Sequence, residues 1–265
     1  MNRIDTKFAE LKRKKKKAFI AYITAGDPDL KTTYKIALEL AKNGVDLVEL
    51  GIPFSDPLAD GPTIQAASQR ALKKGITIRS ILRMARSLRK KTEIPFVFMT
   101  YYNPIYQYGL KKFVDDSKRS GVDGVIVPDL PPEEAGELLG YSQDNLFSVV
   151  FLAAPTSTNE RLKTIAKKSG SFIYYVSLTG VTGARKTLSK DINDHVKKIK
   201  RMTSKPVCVG FGVSNPRQAR LVSSYADGVI IGSALIKVIE KNIGRRDIDR
   251  RLGRVVRSFA RAIKK

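Results

Sequence analysis

Eight short apolar runs, each followed by a polar, helix-like stretch, organise nearly the whole of this chain, and that alternation limits its possible folds more than any other feature. The runs are Phe19–Thr24, Val45–Leu50, Pro95–Tyr101, Gly124–Pro128, Ser148–Ala153, Ser171–Ser177, Pro206–Gly210 and Gly228–Ile231. Several are near-continuous β-branched and aromatic residues, the pattern of strands buried on both faces of a parallel sheet. Amphipathic segments such as Thr33–Lys42 and Asn215–Ser224 separate them. Eight strand-plus-helix units in 265 residues match a closed (β/α)8 barrel, the TIM-barrel architecture of the α/β class. An open doubly wound sheet would more often carry a Gly-x-Gly-x-x-Gly turn after its first strand, and none follows Phe19–Thr24. Residues 1–265 are expected to form a single domain. Residues 1–18 are expected to supply a basic N-terminal helix, Asp5–Lys15 with Phe8 and Leu11 on one face, that covers the bottom of the barrel. A C-terminal helix over Asp249–Ile263 should turn Leu252, Val255, Val256, Phe259 and Ile263 inward.

The residue inventory narrows the chemistry. Cys208 is the single cysteine and lies in the apolar run PVCVGFG, which suits a buried structural thiol and excludes an internal disulfide. His195 is the single histidine, in DHVKKIK, which reads as an exposed helix, so a Ser-His-Asp triad or a histidine-based metal site is not expected. No lysine stands in the middle of a barrel strand, against a Schiff-base aldolase. The chain has neither the apolar start of a secretory signal nor about 18 uncharged apolar residues in a row, so a cytoplasmic protein with no membrane span is expected. Forty-nine basic and twenty-five acidic residues give a net charge of +24. Apart from Lys12–Lys17 (KRKKKK) the cations are scattered over helical faces, so no nucleic-acid partner is expected, although a polyanion could be recruited by that run.

In such a barrel the chemistry belongs to the loops after each strand. The second run carries Glu49 inside Leu47-Val48-Glu49-Leu50, where a solvated charge has no place, and Asp60 follows in Ala59-Asp60-Gly61-Pro62. Two carboxyls at one strand end are candidates for general acid–base work. The seventh run ends Gly210-Phe211-Gly212-Val213-Ser214, and the eighth ends Gly232-Ser233-Ala234 at a helix start. Glycines that admit close backbone approach, free N–H groups at a helix N-terminus and the Ser233 hydroxyl point to phosphate, with helix capping by Ser214 and Ser233 as the plainer alternative. The sixth run feeds Ser177-Leu178-Thr179-Gly180-Val181-Thr182-Gly183-Ala184-Arg185, a candidate mobile lid over a charged ligand.

These motifs resemble one family over essentially the full chain, the α subunits of tryptophan synthase. The resemblance rests on Ala21–Pro28 (AYITAGDP), Val48–Pro62 (VELGIPFSDPLADGP), Tyr102-Asn103-Pro104, Gly180–Ala184, Gly210-Phe211-Gly212 and Gly232-Ser233-Ala234. It implies a carbon–carbon lyase of tryptophan biosynthesis that cleaves indole-3-glycerol phosphate to indole and glyceraldehyde 3-phosphate. No cofactor is implied in this subunit, and pyridoxal phosphate is implied only in a partner β subunit of an αββα assembly. Glu49 is implied as the group that protonates indole C3 and then takes the glycerol hydroxyl proton, and Asp60 as the group that stabilises the indole N–H. Tyr22, Met99, Ile126, Tyr174, Phe211 and Ile231 are implied as indole walls, with Thr182 in the lid and Gly183, Gly212, Gly232 and Ser233 around the phosphate. Pro53, Asp56, Asn103, Asp129 and Pro131 share the face of the site, where the β subunit would sit. Another phosphate-binding barrel enzyme has no reason to carry VELGIPFSDPLADGP, and a non-catalytic interaction subunit would be expected to have lost Glu49, Asp60 or the Gly/Thr loop.

Overall fold

The computed structural model describes residues 2–144, 146–176, 185–210 and 212–264, with 185–190 by backbone alone. Its strands are β1 (Ala18–Thr24), β2 (Leu47–Gly51), β3 (Phe96–Met99), β4 (Gly124–Ile126), β5 (Ser148–Val150), β6 (Leu152–Ala153), β7 (Ile173–Val176), β8 (Val207–Gly210) and β9 (Gly228–Ile231). All pairings are parallel, in the order β5-β4-β3-β2-β1-β9-β8-β7-β6. The two ends of that order are consecutive pieces of one apolar run, so the sheet curls into a nearly closed barrel. Here the expectation of one strand over Ser148–Ala153 is corrected. The first half of the run pairs with β4 and the second with β7, and between them the Phe151 N–H leaves the ladder to donate to Ser169 Oγ at 3.1 Å.

Helices α1 (Arg3–Arg13), α2 (Leu30–Lys42), α3 (Pro62–Leu72), α4 (Ile78–Arg89), α5 (Tyr102–Tyr108), α6 (Leu110–Arg119), α7 (Gly136–Gly140), α8 (Asn159–Lys168), α9 (Arg185–Met202), α10 (Pro216–Ser223), α11 (Ser233–Glu240) and α12 (Ile248–Ile263) complete the described chain. α12 lays Leu252, Val256, Phe259 and Ile263 against the outer core, with Val255 at its margin. α1 crosses the N-terminal ends of the strands. Its Ile4, Phe8 and Leu11 are buried with the barrel-interior residues Ile20, Leu47, Val97 and Phe172, and the Phe8 and Phe172 rings lie 5.6 Å apart.

The helix is as long as the expected Asp5–Lys15 but lies two residues earlier, and it ends at Arg13 because Lys15 takes a left-handed φ of 53°. The Lys16 N–H then returns to Leu11 O at 2.9 Å and the Lys15 N–H to Lys12 O at 3.0 Å, a helix stop normally made with glycine. Ala18 already belongs to β1, so the 1–18 boundary is also corrected.

A repeated clamp holds the bottom of the wall. Asp46, just before β2, accepts the Phe19 N–H of β1 at 2.8 Å. Asp123, before β4, accepts the Phe96 N–H of β3 at 2.8 Å, and Asp227, before β9, accepts the Val207 N–H of β8 at 3.1 Å. Ser169 does the same for Phe151, so the device recurs at every second strand. Each aspartate is also met by cations: Asp46 by Lys264, Asp123 by Arg89 and Arg3, Asp227 by Lys200 and Lys17. Charge-assisted bonds of this kind are stronger than neutral ones, and here they tie adjacent strands at fixed alignment. Asp123→Ala leaves the mostly buried Arg89 and the Phe96 N–H without that acceptor and should lower unfolding stability by about 3 kcal/mol or more. Asp123→Asn, which keeps an oxygen for the N–H, should lose clearly less. Urea titration checks both, and equal losses would show that the charge, not the strand tie, is what matters.

Candidate active site

The alternation of β2 places the site. Leu47 joins the barrel-interior cluster while Val48 and Leu50 pack outward under the helices, so Glu49 faces inward. It stands beside Tyr22 of β1 and Val97 of β3 in register. Glu49 is fully buried, and neither carboxyl oxygen has a hydrogen-bond partner among the described residues. Burial alone pushes its pKa up to about 8, so the group is mostly neutral at pH 7. Tyr22 and Tyr174 line the same interior, and burial raises both phenols. Glycines at two strand ends admit them: a side chain on Gly51 would collide with the Tyr22 hydroxyl, and a Cβ on Gly210 would lie 2.6 Å from that of Tyr174.

Asp60 arrives from the loop between β2 and α3. A turn fixes its backbone, with the Asp60 N–H donating to Pro57 O at 3.0 Å and Gln65 Nε2 donating to Asp60 O at 2.8 Å. Its carboxylate accepts the Tyr101 hydroxyl at 3.2 Å, and the Tyr101 oxygen accepts the Ala59 N–H at 2.9 Å. Burial pushes Asp60 up to about 6 against the lowering effect of the Tyr101 bond. The two carboxyls therefore separate at neutral pH: Asp60 is mostly ionised and Glu49 mostly protonated.

Met99 and Ile126 follow the interior positions Val97 and Gly124 by two residues and sit with Tyr174 at the inner wall. Ile231 does not. It packs in the outer core beside Val229 and Leu235, while Ile230 joins the interior cluster, so the wall position assigned to Ile231 is corrected to Ile230. Adjacent strand residues face opposite sides, and two neighbouring isoleucines conceal which one looks inward. Phe211, Thr182 and Gly183, with the lid up to residue 184, lie outside the described residues. Tyr101, which opens the Tyr101-Tyr102-Asn103-Pro104 segment at the end of the third apolar run and has no role in the expected site, contacts Asp60 directly.

Gly212 holds a φ of 68°, open to glycine at little cost. Gly232 caps α11 without any side-chain bond, and the Leu235 and Ile236 N–H groups fold back onto Gly232 O at 2.8 and 3.1 Å. The N–H groups of Ser233 and Ala234 have no acceptor among the described residues, which leaves a helix N-terminus suited to an anion. Capping takes another route than Ser214 and Ser233: α10 is capped by Asn215, whose side chain accepts the Gln218 N–H at 3.0 Å.

On the outer side of the mouth, Asp56, Asn103 and Asp129 are exposed, Pro131 is half-buried, and Pro53 is buried. Leu58, on the β2–α3 loop, is 92% exposed, and Tyr106, on α5, is 58% exposed. DHVKKIK lies in α9 with Lys197 and Lys200 exposed, and His195 is partly buried, its ring stacked on Tyr175 at 6.2 Å. Part of the Lys12–Lys17 run is answered internally, Lys14 by Glu10 at 2.6 Å and Lys17 by Asp227 at 3.6 Å. Lys12, Lys15, Lys16 and Lys17 line a groove of about 620 Å³ at the opposite end of the barrel. Among the described residues no three metal-ligating side chains gather, and no helix is long and apolar enough to cross a membrane.

Fold and mouth define a (β/α)8-barrel protein that carries a mostly neutral carboxyl, a mostly ionised carboxyl and a helix terminus without a side-chain cap at the C-terminal ends of its strands. The profile of the family "Tryptophan synthase alpha chain" matches residues 8–264. A tryptophan synthase alpha chain of Geotalea daltonii is 51% identical over 245 residues, covering 92% of this chain and 93% of the relative. The solved subunit alpha from Legionella pneumophila superposes with a TM-score of 0.92 at 39% identity, covering 99% of this chain and 98% of that one. A chain of the tryptophan synthase a2b2 complex from Pyrococcus furiosus, studied for mutual activation, gives a TM-score of 0.85 at 42% identity over 92% of this chain and 98% of that one. The protein belongs to the tryptophan synthase alpha chain family.

The buried carboxyl has a consequence for stability. The folded pKa of Glu49, about 8, lies above its ordinary 4.5. Below 4.5 the group is neutral in both states and contributes nothing. Between 4.5 and 8 the unfolded chain ionises while the folded one keeps its proton, so stability falls with rising pH and levels off above 8. Glu49→Gln should therefore unfold at higher denaturant than the parent at pH 8 to 9, by roughly a few kcal/mol, and match it near pH 4. A variant no more stable than the parent at pH 9 would show that the carboxyl is not held in a dry site.

Proposed function

We propose that this chain is the α subunit of a tryptophan synthase, a carbon–carbon lyase that cleaves indole-3-glycerol phosphate to indole and glyceraldehyde 3-phosphate. The observation that carries the reading is Glu49, a buried carboxyl without a partner among the described residues at the end of β2, neutral at the pH where Asp60 is ionised. A neutral carboxyl can deliver its proton to indole C3, turning the ring into a cationic indolenine that draws electrons. The carboxylate left behind takes the proton from the hydroxyl of the carbon attached to C3. That carbon becomes an aldehyde as the bond to C3 breaks, and the bonding pair returns to the ring to restore indole. Asp60 accepts the indole N–H and stabilises the positive charge while it lasts.

The other assignments follow the same geometry. Tyr22, Met99, Ile126, Tyr174 and Ile230 enclose the flat ring, with Phe211. The phosphate is bound by backbone N–H groups at Gly212, Gly232 and Ser233, with Thr182 and Gly183 closing from the lid. The reaction needs no cofactor in this subunit; pyridoxal phosphate belongs to a β subunit that would receive the indole in an αββα assembly. The a2b2 complex of the Pyrococcus relative supports that partner, and the exposed Leu58 and Tyr106 give the mouth an apolar outer surface to meet it.

Indole formation from indole-3-glycerol phosphate, measured with and without a β subunit, tests the reading. Glu49→Gln should abolish it while substrate-analogue binding stays within a few-fold, and kcat/KM of the parent should rise through about pH 6 and fall through about pH 8. A Glu49→Gln enzyme with a tenth of the parent rate would remove the residue from the mechanism. Gly232→Val places a Cβ 3.3 Å from Tyr22 and adds bulk where the anion lies, so KM should rise at least about tenfold with kcat far less affected. Unchanged KM would move the phosphate elsewhere.

A further inference from the structure

We propose that Tyr101 is a positioning residue for this reaction, its hydroxyl fixing the Asp60 carboxylate as the acceptor for the indole N–H. The inference rests on the role just given to Asp60. A phenol carries one proton. The Tyr101 oxygen is already engaged as acceptor of the Ala59 N–H at 2.9 Å, and the proton goes to Asp60 Oδ2 at 3.2 Å. One hydroxyl thus grips both the backbone and the side chain of the same turn. The second Asp60 oxygen accepts nothing from the described residues and is left for substrate.

Tyr101 is itself held firmly. It is buried, its ring packs against Phe54 with centroids 5.4 Å apart, and it directly precedes α5. The next residue donates its N–H to both Asp129 oxygens at 2.9 and 3.1 Å. The Ile52 N–H donates to Met99 O at 2.9 Å, so the β2–α3 loop and the strand leading to Tyr101 leave the barrel side by side. Burial and the charge of Asp60 both raise the Tyr101 phenol, which keeps its proton available as a donor.

A donor aimed at one oxygen favours the charged form of Asp60 and opposes the burial that would neutralise it. Without the hydroxyl, Asp60 would take up a proton at higher pH and lose acceptor strength towards the indole nitrogen. Removing it should weaken the transition state more than the ground state, because positive charge on the ring appears only after C3 is protonated.

The test is Tyr101→Phe in the full chain with its β subunit, which keeps the ring and its packing on Phe54. The expected result is a kcat lower by roughly ten- to a hundredfold, KM within about threefold, and an acidic limb of kcat/KM displaced to higher pH. In an Asp60→Asn background the same change should add almost nothing. A fluorinated tyrosine at 101, a stronger donor of the same shape, should move the limb to lower pH and serves as the test if the phenylalanine variant folds poorly. An unmoved acidic limb, or losses that multiply in the double variant, would overturn the proposal for Tyr101 alone. If Asp60→Asn by itself keeps the parent rate, the role of Asp60 fails first, and with it the ground for the proposal.

Discussion

A slip of one residue between β1 and β2 would turn Glu49 out among the helices and put Val48 in its place, so the site exists only while the strands keep their alignment. The clamps that secure that alignment lie at the other end of the barrel. Asp46, Asp123, Asp227 and Ser169 each tie the entry of one strand to its neighbour, below an interior filled by Ile20, Leu47, Val97 and Phe172 and closed by α1. The strand clamps thus lie at the N-terminal face and the candidate site at the C-terminal face. The upper ends of the strands can then carry glycines, a bare helix terminus and an acid without a partner among the described residues, with no loss of the fold.

Glu49, without a partner among the described residues, is held neutral by burial. Many raised carboxyl pKa values come from a like charge nearby, but burial is the one cause that acts on Glu49. The two routes differ in what they require. A shift made by charge survives contact with water in part, whereas a shift made by dryness is lost when water enters. A barrel mouth walled by Tyr22 and Tyr174, and fitted by Gly51 and Gly210 so that both rings pack in, is a means of keeping one carboxyl dry. Asp60 sits nearer the rim with a donor of its own, and so ionises first.

Much of this could be read from the chain alone. Strands buried on both faces declare themselves as unbroken apolar runs, and a glutamate inside one is conspicuous because nothing around it favours charge. What escaped has definite physical origins. Ile230 and Ile231 are indistinguishable by composition, and the face each takes depends on pairing with β8 and β1 rather than on local pattern. The break at Phe151 depends on a serine hydroxyl eighteen residues away. The early end of α1 depends on a lysine accepting a conformation that ordinarily selects glycine. Tyr101 stands at a strand end that faces the site, but its bond to Asp60 depends on where a single hydroxyl proton points, which no local pattern encodes.

The loop between β2 and α3 joins these two levels. Within a few residues it exposes Leu58 almost completely and half-buries Asp60, with the turn from Pro57 O to the Asp60 N–H between them. Ala59, the one residue separating the two, is bonded to the same hydroxyl that holds the Asp60 carboxylate. A surface seated on Leu58 would therefore act on a turn with little freedom of its own. Any displacement of that turn must either carry Tyr101 with it, against the Phe54 packing and the Asp129 bonds behind it, or lengthen a hydrogen bond that favours the ionised form of Asp60. The geometry ties the charge of a half-buried acid to the position of the turn that carries the exposed Leu58.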